Sequence, residues 1–226
     1  MSIQELINDS LLKDEQSKVG RIRSGKWSPS SFGQCLRKQY LNRQDVPKSN
    51  PPDVRTLRVF KVGNLFENFA VELLKKTDTD LQYQVKIETD DVFGFADIVN
   101  GNCVYDIKSQ HSGAFTYMKP ESIKEEKFCN WLQVGWYALT LNKPNCALVF
   151  ISKDDLRIAE FVQPVEGYWR NMIENELTLL NHFWARKELP PAVPKAFGSE
   201  KLGDKECDKY CSWRDHCYLL EKREIK

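Results

Sequence analysis

The segment GFADIVNGNCVYDIK, residues 94–108, decides the fold. Apolar residues alternate with other residues on both sides of a central Gly-Asn pair, which is the pattern of two β-strands joined by a two-residue turn. Because side chains alternate along a strand, Asp106 and Lys108 should share one side, and Asp97 should lie on the neighbouring strand. We therefore predict a hairpin that brings two carboxylates and one ammonium together at one end of a sheet.

Such a group of side chains has a chemical and a structural interpretation. Carboxylate oxygens are the ligands that Mg²⁺ and Mn²⁺ prefer. A bound divalent ion can lower the pKa of a water molecule and stabilise charge on a phosphodiester, while Lys108 could orient that water or shield the developing charge. The structural alternative is an exposed salt bridge, and the D-x-K pattern taken alone favours it because the pattern is common.

Residues before and after the hairpin strengthen the chemical interpretation. Glu67 follows Gly63 by four residues on a predicted helix and could supply a third carboxylate. Gln133 and Tyr137 are four residues apart on another predicted helix, so they share one face. Polar side chains on an otherwise apolar helix need partners if they face inward. A hydrogen-bonded pair in the core is the alternative interpretation of Gln133 and Tyr137.

The rest of the chain predicts an α/β protein. Apolar periodicity predicts strands over 81–88, 92–99, 103–108, 146–151 and 156–161, and helices over 3–13, 28–41, 57–76, 128–141 and 165–188. The polar stretch 109–127 is long enough for a lid or a binding loop. This order predicts a central sheet flanked by helices, with helical additions at both ends.

Composition restricts the class of protein without naming a partner. A chain of 226 residues with a net charge of +1 is long enough for one domain with a full core. No stretch approaches the ~18 apolar residues of a membrane span, so no membrane partner is expected. The first eighteen residues lack the order of a signal peptide, and we expect a cytoplasmic location.

Positive charge is concentrated near the N-terminus. Residues 16–44 contain seven Lys or Arg residues and no acid, with three aromatic residues among them. Such a segment can neutralise phosphates and stack on bases, and we predict that Arg37 and Lys38 bind DNA. A solvated face with aromatic residues in the core is the alternative.

Cysteines indicate a second candidate site. Three of the seven cysteines are close together near the C-terminus, and one lies far upstream: Cys207, Cys211, Cys217 and Cys35. Four thiolates can hold either zinc or an iron–sulfur cluster, and spacing alone does not choose between them. Free thiols that cluster by chance are the third possibility. The remaining three fall on apolar segments and are predicted to be small buried hydrophobic residues: Cys103, Cys129 and Cys146.

Taken in order, the acidic and polar motifs resemble the PD-(D/E)XK superfamily and, within it, the RecB-like nucleases. The resemblance rests on Gly63-x3-Glu67, Gly94-x2-Asp97, Asp106-x-Lys108 and Gln133-x3-Tyr137. It implies a restriction-endonuclease-like core with Mg²⁺ or Mn²⁺ held by Glu67, Asp97, Asp106 and the backbone carbonyl of Ile107. It also implies catalytic roles for Lys108, Gln133 and Tyr137.

The cysteine pattern resembles that of CRISPR-associated iron–sulfur exonucleases, their phage relatives and the AddB nuclease domain. The resemblance implies a [4Fe–4S] cluster that joins residues 28–45 to residues 200–218 around a catalytic core of 57–188, all in one nuclease domain of 1–226. Three residues separate the first two C-terminal cysteines, where the family commonly has two, so zinc remains the less favoured alternative.

The function that this resemblance implies is a metal-dependent DNA exonuclease. The implied substrate is single-stranded DNA with free ends, cut in the 5′–3′ direction, in CRISPR adaptation, phage recombination or DNA repair. Proteins of CRISPR adaptation or of recombination are then possible partners. Two alternatives from other classes are a non-catalytic iron–sulfur DNA-binding module and a zinc-binding interaction protein.

Overall fold

The computed structural model describes residues 1–18, 24–77, 80–192, 207 and 210–224, with side chains up to 220. The helices are α1 (Ile3–Gln16), α2 (Leu36–Arg43), α3 (Val54–Leu74), α4 (Ser112–Thr116), α5 (Ile123–Glu126), α6 (Phe128–Thr140), α7 (Tyr168–Arg186) and α8 (Arg214–Glu224). The strands are β1 (Gln82–Glu88), β2 (Phe93–Val99), β3 (Cys103–Gln110), β4 (Asn145–Ser152) and β5 (Ile158–Pro164).

The five strands form one mixed sheet in the order β1-β2-β3-β4-β5. Strands β3 and β4 run parallel, and the other neighbouring pairs are antiparallel. The parallel pair needs a crossover connection, which α4, α5 and α6 provide. The predicted α/β class, with a mixed sheet and flanking helices, is confirmed.

Helices cover the two faces of the sheet to different extents. On one face, α6 packs on fully buried side chains of the sheet such as Val104 and Leu148. Helix α7 packs against α6, where it contacts the buried Trp131. On the other face, α3 covers a smaller group centred on Ile98 and Ile107. Truncating a buried Leu or Ile typically costs about 2–5 kcal/mol, so both faces contribute to stability. Within the described part of the chain, no helix is long and apolar enough to cross a membrane.

The predicted helix over 28–41 is interrupted in the structure. Pro29 opens only one 3₁₀ turn, Gly33 adopts a positive φ of 76°, and α2 begins after Cys35, which occupies its N-cap position. The Gly33 N–H donates to both carboxylate oxygens of Glu176, at 2.9 and 2.8 Å. A side chain on residue 33 would place its Cβ 2.9 Å from Cys129 Sγ. The contacts of Gly33 with Glu176 and Cys129, which lie far away in the sequence, therefore override the local preference of residues 28–41 for one continuous helix.

The C-terminal segment is anchored by ordinary polar contacts. The indole of Trp213, which is buried, donates to the Val46 carbonyl at 2.9 Å. The backbone N–H and the side-chain amide of Asn50 donate to the carbonyls of Ser212 and Cys211, at 2.9 and 3.0 Å. The segment therefore packs on the connection between α2 and α3.

Most predicted element boundaries are correct to within three residues. Apart from the interrupted helix, the starts of α3 and α7 differ most from the prediction. Helix α3 begins at Val54 because the Asp53 side chain accepts from the Thr56 N–H at 2.7 Å. The stretch 109–127, predicted as a polar loop, contains two short helices that cover the end of β3.

Candidate active site

The predicted site lies where strands β2 and β3 separate. Their paired residues are Val99 with Val104 and Ile98 with Tyr105. The next opposed residues would be Asp97 and Asp106, and there the backbone ladder stops. The Ile107 N–H donates instead to Asp97 Oδ2 at 2.8 Å. A carboxylate thus replaces a backbone partner, which places Asp97 in the gap between the two strands.

Asp106 and Lys108 form an ion pair beside this gap. The Lys108 ammonium lies 2.8 and 2.7 Å from the two carboxylate oxygens of Asp106. The Asp106 side chain is 2% exposed and that of Lys108 is 30% exposed. Despite the short distance to Lys108, Asp106 Oδ2 receives no well-directed hydrogen bond from the residues that the structure describes. Asp106 therefore keeps an unsatisfied, buried acceptor inside the site.

Crowding of carboxylates is visible in the pKa values of the site. Burial, and then the charge of Asp106, raise the pKa of Asp97 to about 7. Burial also raises the pKa of Glu67 and of Asp106, against the opposing charge of Lys108. Burial disfavours the charged form of Lys108, but the surrounding carboxylates outweigh it and raise its pKa. The site favours a cation, as expected when like charges share a small volume.

Glu67 belongs to α3, which packs on the opposite face of the sheet from α6, and its side chain lies beside Asp97 and Asp106. Its carboxylate accepts a hydrogen bond from Gln84 Nε2, which also lies 3.5 Å from Asp97 Oδ1. The sequence analysis overlooked Gln84. The signal that could have identified it is register, because Gln84 is opposite Asp97 when β1 and β2 are paired as a hairpin.

Gln133 and Tyr137 approach the site from α6. The buried Tyr137 hydroxyl makes hydrogen-bond contacts with the Gln133 side chain and the Phe95 backbone. Burial, followed by the charges of Asp106 and Asp97, raises the pKa of Tyr137. A Cβ on Gly94 would lie 2.5 Å from the Tyr137 hydroxyl. Glycine at 94 is therefore needed for the tyrosine to reach the acidic residues.

The donor set fits a divalent ion in chemistry, although the ligands are not gathered as a complete metal site. Among the residues that the structure describes, no group of three or more His, Cys, Asp or Glu side chains is arranged to hold a metal. The Lys108 ammonium forms an ion pair with the Asp106 carboxylate, and the Gln84 amide donates a hydrogen bond to the Glu67 carboxylate. The unsatisfied Asp106 oxygen and the crowded carboxylates are what a cation would satisfy.

The cysteines are partly brought together. Cys35, Cys211 and Cys217 are close enough to influence one another, since burial, and to a smaller extent the two neighbouring thiols, raise the pKa of Cys211. Cys207 is half-buried, and among the described residues none of the four cysteines forms a disulfide. The described residues contain no assembled thiolate site, so the predicted [4Fe–4S] cluster remains a prediction.

Arg37 and Lys38 lie at this cysteine region. Arg37 is buried, with Nε donating to the Pro190 carbonyl at 2.8 Å and Nη1 donating to Cys217 Sγ at 3.4 Å. Lys38 is half-buried and its charge lowers the pKa of Cys211. These contacts indicate a structural role for Arg37, so a direct contact of Arg37 with DNA would require rearrangement.

Comparison with known proteins identifies the fold. No family model matches the sequence, and no curated protein matches it. The structure of SSO0001 aligns over 94% of both chains with a TM-score of 0.54 and 17% identity. That of a phage-related exonuclease from Haemophilus somnus 129PT aligns over 67% of this chain and 80% of that one, with a TM-score of 0.52 and 14% identity.

The chain shares its overall fold with these two proteins, one of which is described as a phage-related exonuclease. The resemblance predicted from the order of the motifs is thereby confirmed at the level of the fold. A more distant likeness is to the alkaline exonuclease LHK-Exo from Laribacter hongkongensis, with a TM-score of 0.49 and 13% identity over 73% of this chain and 94% of that one.

Proposed function

We propose that the protein is a divalent-metal-dependent DNA nuclease. The observation that carries the proposal is the meeting of Glu67, Asp97, Asp106 and Lys108 where β2 and β3 separate. The residues come from one helix and two strands, and the fold is shared with a protein described as a phage-related exonuclease. A salt bridge formed for stability alone would not need three further acidic and amide groups around it.

Each residue has a role that follows from its surroundings. Glu67, Asp97 and Asp106 would hold Mg²⁺ or Mn²⁺, with the Ile107 carbonyl as a further oxygen ligand. A bound divalent ion supplies Lewis acidity at the phosphodiester and lowers the pKa of a coordinated water. The raised pKa keeps Lys108 as an ammonium at neutral pH. Lys108 therefore donates hydrogen bonds and offsets developing negative charge, and it does not act as a general base.

Gln133 and Tyr137 complete the site from the side of α6. Because its pKa is raised, Tyr137 stays a neutral hydrogen-bond donor near Asp97 and Asp106. Gln133 contacts that hydroxyl and limits its orientation. We assign both residues to the positioning of the substrate or of the attacking water.

We propose DNA with free ends, mainly single-stranded, as the substrate, cut in the 5′–3′ direction. The fold shared with a phage-related exonuclease supports end-dependent cleavage. Direction, strand preference and a pathway in CRISPR adaptation, phage recombination or repair rest on the motif resemblance. The proposal treats residues 1–226 as one nuclease domain with 57–188 as its catalytic core.

We also propose that Cys35, Cys207, Cys211 and Cys217 hold a [4Fe–4S] cluster. The mutual influence of three of these thiols supports this assignment, as does the C-terminal segment that packs beside α2. Iron and sulfide analysis of anaerobically purified protein tests it. About four irons per chain are expected for a four-cysteine cluster, whereas one zinc and no sulfide would contradict it.

The deciding experiment measures cleavage of three DNA substrates with Mg²⁺ and with Mn²⁺. We expect degradation of end-labelled single strands, slower degradation of linear duplex, and resistance of a closed single-stranded circle. Labels at the 5′ and at the 3′ end read the direction. Asp155→Asn and Lys86→Ala are matched controls for the site variants Asp106→Asn and Lys108→Ala, because the side chains of Asp155 and Lys86 are exposed and lie outside the site. DNA binding without cleavage would favour the non-catalytic module.

A further inference from the structure

Gln84 adopts a backbone conformation that is unusual for a residue in the middle of a strand. Its φ is +48°, although Tyr83 and Val85 on either side pair normally with Ile98 and Ala96 of β2. A left-handed conformation is unfavourable for a residue with a side chain and persists only where the surroundings impose it. The position opposite Gln84 is that of Asp97, where β2 also loses its pairing with β3.

The side chain of Gln84 connects two candidate metal ligands. Its Nε2 donates to Glu67 and lies 3.5 Å from Asp97 Oδ1. In the part of the chain that the structure describes, no other group donates a hydrogen bond to the Glu67 carboxylate. Glu67 belongs to a helix and Asp97 to the sheet, so this amide links two layers of the fold at the site.

We propose that Gln84 is a positioning residue of the active site, which rests on the function proposed above. Its amide donates to two carboxylates that repel each other and so keeps both of them beside the same space. Asp106, whose side chain is 2% exposed, has one oxygen without a well-directed hydrogen bond, which makes it a further acceptor for a cation at the same place. The strained backbone directs the amide into the site, so the chain accepts local strain in order to prearrange the cation ligands.

Three variants distinguish the effect of the backbone strain at residue 84 from the effect of its side-chain amide. Gln84→Gly removes both the strain and the amide. Gln84→Met keeps a side chain of similar length, and with it the strain, but has no donor. Gln82→Gly is the matched control, because Gln82 is an exposed glutamine on the same strand with regular pairing to Val99.

The measurements are the melting temperature of the metal-free protein, the affinity for Mn²⁺ by calorimetry, and the cleavage rate. Gln84→Gly should raise the melting temperature by roughly 2–4 °C, because glycine adopts a positive φ freely. Gln84→Gly and Gln84→Met should both weaken Mn²⁺ binding by roughly 10- to 100-fold, the usual loss when a partner of a metal ligand is removed. Gln82→Gly should lower the melting temperature and leave Mn²⁺ binding unchanged.

The outcomes distinguish this inference from the proposed function. If the wild-type protein cleaves DNA and both Gln84 variants bind Mn²⁺ as it does, the positioning role is wrong and the nuclease proposal stands. If the wild-type protein binds Mn²⁺ without cleaving DNA, the nuclease proposal is wrong, while weakened Mn²⁺ binding in both variants still supports the role of Gln84. A lower melting temperature for Gln84→Gly, as for Gln82→Gly, would overturn the claim of stored strain.

Discussion

The acidic centre and the cysteine region are both candidate metal sites, and they are built in opposite ways. At the acidic centre the chain accepts an interrupted ladder, a left-handed Gln84 and a buried, incompletely satisfied Asp106. At the cysteine region, Trp213 and Asn50 anchor the C-terminal segment through regular hydrogen bonds. Strain and unsatisfied groups are typical of places that do chemistry. The first region has these features, whereas the second has those of an attachment.

The largest expected effect is on catalysis at the acidic centre. Asp106→Asn and Lys108→Ala should each lower the cleavage rate by roughly 10²–10³-fold or more, the loss seen when a group that stabilises charge is removed. Each factor of ten corresponds to about 1.4 kcal/mol of barrier. Single-turnover assays at saturating Mg²⁺ measure the rate, and circular dichroism confirms that the variants fold. Wild-type rates in either folded variant would remove the distinction between the two regions.

At the cysteine region, by contrast, the largest effect should be on stability. Trp213→Ala removes a buried aromatic side chain and its hydrogen bond to Val46, and should cost about 3–5 kcal/mol. Limited proteolysis should then cut the C-terminal segment, while nuclease activity per folded molecule is retained. The exposed Tyr210→Ala, in the same segment, is the control and should have little effect. Loss of activity in folded Trp213→Ala would show that the two regions are coupled.

The free energy of unfolding should depend on pH through Glu176, which contacts Gly33 and Gln39 on either side of Cys35. Burial raises the pKa of Glu176 to about 7, against the hydrogen bonds from Gln39 and Gly33. Because the folded state holds this proton more tightly than the unfolded state, stability is lost as pH rises from about 4.5 to 7, by about 3 kcal/mol in total.

Glu176→Gln should remove the share of this slope that Glu176 contributes, leaving that of Asp97, and should equal or exceed the wild type in stability at pH 8. Urea unfolding at pH 5, 6, 7 and 8 measures the free energy of unfolding. An unchanged slope in the variant would assign the dependence to other groups, of which Asp97 is the first to test.

Much of this comparison is predictable from the sequence, and the remainder depends on long-range packing. The hairpin and the proximity of Asp97, Asp106 and Lys108 follow from alternation and spacing, because strands that are adjacent in sequence pair locally. The interruption at Gly33 does not follow, since its cause is Glu176, far away in the chain. The burial of Arg37 also depends on a distant partner, Pro190. The conformation of Gln84 depends on a helix that packs across the sheet.

The smallest expected effect concerns Gly63, inside α3. A Cβ there would meet nothing closer than Ser109 Oγ at 4.0 Å. Gly63→Ala should therefore stabilise the protein by about 1 kcal/mol, since alanine favours a helix over glycine by that amount. Thermal unfolding measures the gain, with Gly135→Ala as a contrasting variant that would bring a Cβ 3.1 Å from Ile173 Cδ1 and destabilise the protein. A stabilised Gly63→Ala variant with slower cleavage would indicate that substrate approaches α3 at this turn.

The parallel pairing of β3 with β4 has a consequence for the order of folding. Strands β1, β2 and β3 join through short turns, so their contacts close small loops and can form early. Pairing of Cys103 with Asn145 must await the crossover that carries α6. Asp97, Asp106 and Lys108 therefore meet within one locally formed hairpin, and the nascent carboxylates have their own counter-charge before any core covers them. Glu67 and Tyr137 lie on α3 and α6, so the candidate site is complete only when these helices have packed on the sheet.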